Sequence, residues 1–228
     1  MQADGLKLRV ERKFVPEALS LDDALTLVRQ HPALFRETYP PRCVNNLYFD
    51  TPDLRLYREH VQGVSHRTKI RIRWYGQFTG PVDRPAFEIK RRFGTTSGKE
   101  VFGFPPFSMN GQLPREAIVA ARDCEKLAEA ARLALNGLDV VLGNRYKRFY
   151  FLSADGTVRL TVDCDLQFCG FGEFGGLLRE MQPAATQLII ELKYDPANAD
   201  QAAFVAGQFP FRPTRCSKYV IGITQLFT

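Results

Sequence analysis

HRTKIRIRWYG, residues 66–76, alternates with period two: Lys69, Arg71 and Arg73 fall on one side, and Ile70, Ile72 and Trp74 on the other. That pattern is a β-strand with one charged face and one apolar face, closed by a glycine. PAFEIKRRFG (85–94) repeats it after a Gly/Pro/Asp loop and places Glu88, Lys90 and Arg92 together. The two stretches read as neighbouring strands.

The same sorting recurs along the chain. KLRVERKFV (7–15) sets Arg9, Glu11 and Lys13 on one face. Residues 145–152 group Arg148 with Tyr146 and Tyr150, and residues 157–168 group Arg159 with Thr161, Asp163 and Asp165. Residues 187–194 place Glu191 and Lys193 opposite Ile190 and Leu192. Any one of these faces is explained by an open sheet with a wet polar side. Together they repeat Arg and Lys with few carboxylates, where a solvated face usually mixes Thr, Ser and Gln. A barrel turns such faces inward while Ile70, Ile72 and Trp74 pack under helices. The lumen is then wet and positive, suited to phosphate oxygens that arginine grips with a planar fork and lysine with a point charge.

The expected class is mainly β (α+β), and 228 residues suit a single domain over 1–228. Ser20 can cap a helix carrying Leu21, Leu25 and Val28 inward and stopping before Pro32. VNNLYFDT (44–51) is a strand, followed by a short helix through about Glu59 with Pro52 in its first turn. Residues 115–135 have the composition of one long helix, and a glycine-rich loop is expected near 170–176. Asp195-Pro196 precedes a helix through about Gln208. The final SKYVIGITQLF is compatible with helix or strand.

Composition narrows the function. A net charge of +6 favours anionic partners. No run is long and apolar enough to span a membrane, and the N-terminus lacks the apolar core of a secretory signal, so a cytoplasmic location is expected. Cys43, Cys124, Cys164, Cys169 and Cys216 form no CxxC pair, which reads as reduced thiols without a zinc site. GTTSGKE (94–100) has three residues between its glycines, not four, and ends in Glu, so it is no Walker loop. FGEFGG (171–176) is no dinucleotide fingerprint. His31, His60 and His66 lack metal spacing and read as surface or capping residues. Nucleic-acid binding is disfavoured because no aromatic platform interleaved with basic residues is visible in the chain. A triphosphate travels with Mg²⁺ or Mn²⁺, which take one or two carboxylates besides phosphate oxygens. Glu191 is the first candidate, followed by Glu11, Glu88, Asp163 and Asp165. Pairing with neighbouring arginines explains the last two equally well.

VERKF, NNLYFDTPDLRLY, RTKIRIRWYG, FEIKRR, YKRFYF, TVRLTVDCD, IELKY and CSKYVIG together resemble, in order, the motifs of the VTC domain. That is the polyphosphate polymerase module of the vacuolar transporter chaperone complex, a branch of the CYTH-like triphosphate tunnel metalloenzymes. The resemblance runs from about residue 7 to residue 222. It implies a closed antiparallel β-barrel tunnel with a basic interior and several flanking helices. It further implies that Lys13, Arg71, Arg73, Lys90, Lys99, Arg148, Arg159 and Lys218 bind phosphate, with Tyr146 and Ser217 touching it. Glu191 matches the metal-binding glutamate. The implied reaction moves the γ-phosphoryl of ATP onto a growing polyphosphate chain, with Arg71, Arg73, Lys90, Arg148, Arg159 and Glu191 as its catalytic group. CYTH enzymes open with ExExK, whereas Arg9 stands at the first Glu position here, which favours the VTC branch. A triphosphatase and a polyphosphate-binding module without turnover are the alternatives. The phosphate-sensing and membrane-spanning domains of eukaryotic relatives are not in this sequence, so coupled translocation is not expected. Oligomeric state stays open.

Overall fold

A computed structural model of the protein describes residues 8–112, 114–122, 127–171, 180–185 and 188–227. The first half holds β1 (Arg9–Phe14), α1 (Leu21–Arg29), β2 (Arg36–Asp50), α2 (Arg55–Gln62) and β3 (His66–Tyr75). Then come β4 (Gly80–Val82), β5 (Ala86–Phe93), β6 (Thr96–Gly103) and β7 (Phe107–Met109). The second half holds α3 (Arg115–Arg122), α4 (Glu129–Leu135), β8 (Asp139–Leu152), β9 (Val158–Gly170), β10 (Gln182–Pro183) and β11 (Leu188–Tyr194). A 3₁₀ turn (Pro196–Asn198), α5 (Ala199–Gly207) and α6 (Lys218–Phe227) end the chain.

The protein is mainly β, with one large antiparallel sheet and flanking helices. Its strands run in the order β9-β11-β1-β6-β5-β3-β2-β8, and β8 pairs back onto β9, so the hydrogen-bonded order is circular. β10 adds to β9, while β4 and β7 form a separate ribbon.

The apolar faces point away from the centre of this ring. Ile70, Ile72 and Trp74 join Phe87 and Ile89 under Ile118 and Ala121 of α3 and Ala131 and Leu135 of α4. Phe14, Val162, Ile190 and Leu192 pack under Ala24, Leu25 and Val28 of α1 and Ala202 and Val205 of α5. Burying each large aliphatic or aromatic side chain contributes about 1.5–3 kcal/mol. Ser20 caps α1 by accepting from the Asp23 amide at 3.1 Å.

α6 behaves differently. Its Tyr219, Ile223 and Leu226 pack with Leu142, Phe168 and Ile189. By alternation these share the face of Asn144, Tyr146 and Glu191, so α6 turns into the polar side and covers one end of the ring. Gly222 permits this approach, because a Cβ there would lie 2.6 Å from Phe168 and 2.7 Å from Leu142. The terminal apolar run is therefore a helix.

Residues 115–135 do not form one helix. Ala128 is extended (φ −54°, ψ 140°), which breaks the ladder between α3 and α4 and lets buried Leu127 turn into the core. Cys124 and most of the glycine-rich stretch near 170–176 lie outside the described residues. The strand expected at 44–51 starts earlier, at Arg36, because β8 continues to pair with it. His31 is buried rather than on the surface: its Nδ1 accepts from the Ala33 amide and its Nε2 meets the Val205 carbonyl. Cys43, Cys164, Cys169 and Cys216 are free thiols.

Candidate functional site

Strand alternation delivers charged side chains from β1, β3, β5, β6, β8, β9 and β11 to the inside of the ring, where three carboxylate centres organise them. At the first, one oxygen of Glu88 accepts from Arg71 through Nε (2.7 Å) and Nη2 (2.5 Å), and the other from Lys99 at 2.8 Å. Arg73 stands 3.8 Å away. Register explains the contact, since Arg71 faces Glu88 and Lys90 faces Lys99 across the ladders. Burial opposes the charge on Glu88, but Arg71, Arg73 and Lys99 outweigh it and hold the carboxyl far below its usual range.

The second centre is Asp163, completely buried. Arg148 grips it with both arms of its fork, at 2.6 and 2.7 Å, and Lys218 at the start of α6 donates at 2.5 Å. Burial raises the Asp163 pKa, yet Arg148 and Lys218 bring it down to about 2.

The third centre joins Glu11 and Glu191 on the paired strands β1 and β11. Lys90 meets Glu11 at 2.6 Å, and Lys13 lies 3.8 Å from Glu11 and 3.4 Å from Glu191. Lys193 and Arg148 approach Glu191 at 3.1 and 3.7 Å. This carboxylate is surrounded but held less closely than the other two centres.

Neutral groups knit the cluster together. Arg73 donates to Asn46 (2.9 Å) and Tyr146 (3.2 Å), and Asn46 donates to Asn144 at 2.7 Å. Arg148 and Lys218 lie over the Tyr146 ring, 5.2 and 4.6 Å from its centroid. Lys69 donates to Ser217 at 2.8 Å and has no ion-pair partner among the described residues. Burial, with Lys13 and Lys90 close by, drives its pKa well below the lysine range. The buried Thr161 hydroxyl and Asn144 amide nitrogen have no hydrogen-bond partner among the described residues.

Among the described residues, eight cations (Lys13, Arg71, Arg73, Lys90, Lys99, Arg148, Lys193 and Lys218) thus meet only four carboxylates, and Lys69 stands beside them without one. At an effective dielectric near 20, like charges 4 Å apart repel by about 4 kcal/mol. Such an excess gives the ring a positive potential, which favours multiply charged anions.

Two residues grouped here by sequence are placed apart. Arg159 begins the inward row of β9 opposite Lys193, but is exposed at the end of the ring away from α6. Asp165 leaves the cluster altogether. A register shift opposite Tyr146 inserts an extra residue into β9, and Asp165 takes a left-handed conformation (φ 53°) with an exposed side chain. Alternation resumes out of phase beyond it, so Asp163 and Asp165 do not share a face. Cations sit within 2.8 Å of both oxygens of Glu88 and of Asp163, closer than at both oxygens of Glu11 or Glu191, which argues against either as a metal ligand.

Glu11 and Glu191 are the remaining carboxylates that could hold a divalent cation. Among the described residues no three His, Cys, Asp or Glu side chains converge as a metal cluster. Two carboxylates fit Mg²⁺ or Mn²⁺, which fill their remaining positions with water and substrate phosphate. Asn46, Asn144, Lys69 and Tyr48, whose hydroxyl accepts from Arg71 at 3.3 Å, were missing from the candidates. The paired asparagines in the apolar run VNNLYF were the available signal, since one of them must face inward with the charges.

The chain spans the length of two bacterial proteins described as putative adenylate cyclases. The one from Vibrio parahaemolyticus superposes with a TM-score of 0.54 at 14% identity, covering 94% of this chain and 97% of the other. The one from Bacillus halodurans gives 0.52 at 15%, covering 98% and 100%. These likenesses show a shared fold. No curated protein matches in sequence. The family model of the VTC domain matches residues 8–227, which takes in every strand of the ring and α6, so this chain belongs to the VTC domain family.

Proposed function

We propose that the ring is a tunnel, a closed β-barrel, in which the chain acts as an ATP- and metal-dependent polyphosphate polymerase. The observation that carries this reading is the excess of inward cations over carboxylates, arranged around one centre. Phosphoryl transfer asks little covalent chemistry of a protein; positioning and charge neutralisation do most of it. Arg71, Arg73, Lys90 and Arg148 would hold phosphate oxygens in line, with Lys13, Lys99, Ser217, Lys218 and Tyr146 around them and Arg159 at the entrance. Glu191, with Glu11 beside it, would hold Mg²⁺ or Mn²⁺, which when bound neutralises charge on the β–γ bridge. A terminal phosphate oxygen of the acceptor chain attacks the γ-phosphorus, the bridge bond breaks, and ADP leaves.

Incubation of the purified protein with ATP and Mn²⁺, with separate assays for polymer and orthophosphate, tests the reading. Polymer supports it, orthophosphate alone makes the protein a triphosphatase, and neither product leaves a binding module. Arg71→Ala is expected to weaken triphosphate binding about tenfold or more, because charge-assisted hydrogen bonds contribute roughly 1.5–3 kcal/mol. Calorimetric titration checks it, and unchanged affinity in a folded variant would count against the site.

The lysines set the pH dependence. Burial lowers the Lys90 pKa, Glu11 supports it and Lys13 lowers it again, leaving it at about 8. Below that pH Lys90 is charged; above it the charge is lost. Triphosphate affinity is therefore expected to fall about tenfold between about pH 7 and about pH 9.5. An affinity that held steady or rose across this range would contradict the assignment.

A further inference from the structure

On the inward face of β8 the order is Leu142, Asn144, Tyr146, Arg148, Tyr150. α6 covers the Leu142 end, so Tyr150 lies towards the other end, one inward step beyond Arg148 and about 7 Å further along the strand. There the long β2 and the end of β3 bring Tyr39, Arg42 and Tyr75 to the same place. The Arg42 guanidinium lies 4.9 Å from the ring centroid of Tyr39, 5.5 Å from that of Tyr75 and 5.7 Å from that of Tyr150. Tyr39 and Tyr150 meet edge to face at 5.8 Å. Tyr39 and Tyr75 remain 56% and 53% exposed, a large aromatic surface to leave in water.

Arg42 has no ion-pair partner among the described residues, and it sits directly opposite Arg148 in the β2–β8 register. Arg148 is already neutralised by Asp163, so Arg42 is the cation of this pair left without an anion. The cluster thus combines an unneutralised arginine nearest the centre with aromatic faces beyond it. A nucleotide is built in the same order, phosphate first and base last.

We propose that Tyr39, Tyr75 and Tyr150 form a base-stacking platform at this mouth, with Arg42 on the α-phosphate, so that the preferred donor is a nucleoside triphosphate rather than bare triphosphate. This rests on the triphosphate reading of the ring. With Arg42 on phosphate, the tyrosines offer a base their π-faces. Stacking of that kind tolerates every base, so the platform selects for a nucleobase without choosing among them.

The test is calorimetric titration of the intact protein with ATP, GTP, CTP and inorganic triphosphate, repeated for Tyr39→Ala/Tyr75→Ala and Tyr39→Phe/Tyr75→Phe. The alanine pair is expected to bind ATP about tenfold or more weakly, since stacking on one base is worth roughly that much. Inorganic triphosphate should change by less than about twofold. The phenylalanine pair, which keeps the rings, should restore ATP binding, and the three nucleotides should agree within about threefold in the wild type. Equal losses for ATP and triphosphate, or no loss for either, would overturn the platform and leave the triphosphate site intact. A wild-type protein that bound none of the four would overturn both. Matching thermal melts establish that the alanine pair is folded.

Discussion

Glu191→Gln is expected to lower metal-dependent turnover about 100-fold, the equivalent of ~3 kcal/mol of lost transition-state stabilisation. Glutamine keeps the size of the side chain and removes its charge. Burial opposes ionisation of Glu191, but Lys193, Lys13 and Arg148 outweigh it and hold the group ionised far below the usual carboxylate range. It is thus a permanent negative charge in a positive chamber, with cations at 3.1, 3.4 and 3.7 Å. Mn²⁺ binding, read by electron paramagnetic resonance, should weaken in parallel with turnover. Metal-free triphosphate should bind at least as well as before, because one repelling charge is gone. Those opposite signs separate a ligand from a structural ion pair. Unchanged Mn²⁺ affinity together with wild-type turnover would remove Glu191 from the metal site.

The second large effect concerns stability. Asp50→Ala should lower the melting temperature by about 10 °C, at 2–4 °C per kcal/mol for a chain of this size. Asp50 ends β2 and is fully buried. It accepts from the amides of Thr51 (2.7 Å), Leu56 (2.8 Å) and Tyr57 (2.8 Å), and from the Tyr219 hydroxyl. Its carboxylate thereby caps α2 together with the Thr51 hydroxyl, which accepts from the Arg55 amide at 2.9 Å, since Leu54 at the cap position is left-handed (φ 56°) and makes no side-chain cap bond. A negative charge at a helix N-terminus is favourable as well. Truncation strands four donors, two buried and two part-buried, and a buried one costs about 1–3 kcal/mol if unsatisfied; partial rehydration brings the expected total to ~4 kcal/mol. Asp50→Asn, which keeps one acceptor oxygen, should fall between the two. Because Tyr219 follows Lys218, the alanine variant should also bind triphosphate more weakly. A melting temperature within about 2 °C of wild type would show that the Asp50 network is dispensable.

Asp50 was visible in YFDTP only as a strand-end residue. Its importance depends on Tyr219, 169 residues away, and nothing local announces that partner. The tyrosine platform is a similar case. Tyr39, Tyr75 and Tyr150 are scattered in the chain, so no stretch of sequence shows that their rings gather around Arg42. Asp165 errs the other way: spacing placed it beside Asp163, and one inserted residue in β9 separated them.

What the amino-acid order settled alone was the sidedness of each strand and the sign of its polar face. Lys69, Arg71 and Arg73 lie together because successive side chains on any extended chain point to opposite sides, a property of local backbone geometry. Partner choice was different. That Arg71 meets Glu88 while Lys69 meets Lys90, that β8 closes onto β9, and that α6 turns into the ring are consequences of register and packing between distant segments. Those contacts are decided by which arrangement buries the outer apolar faces under helices and satisfies the ladders at once, a condition on the whole chain that no single stretch can express.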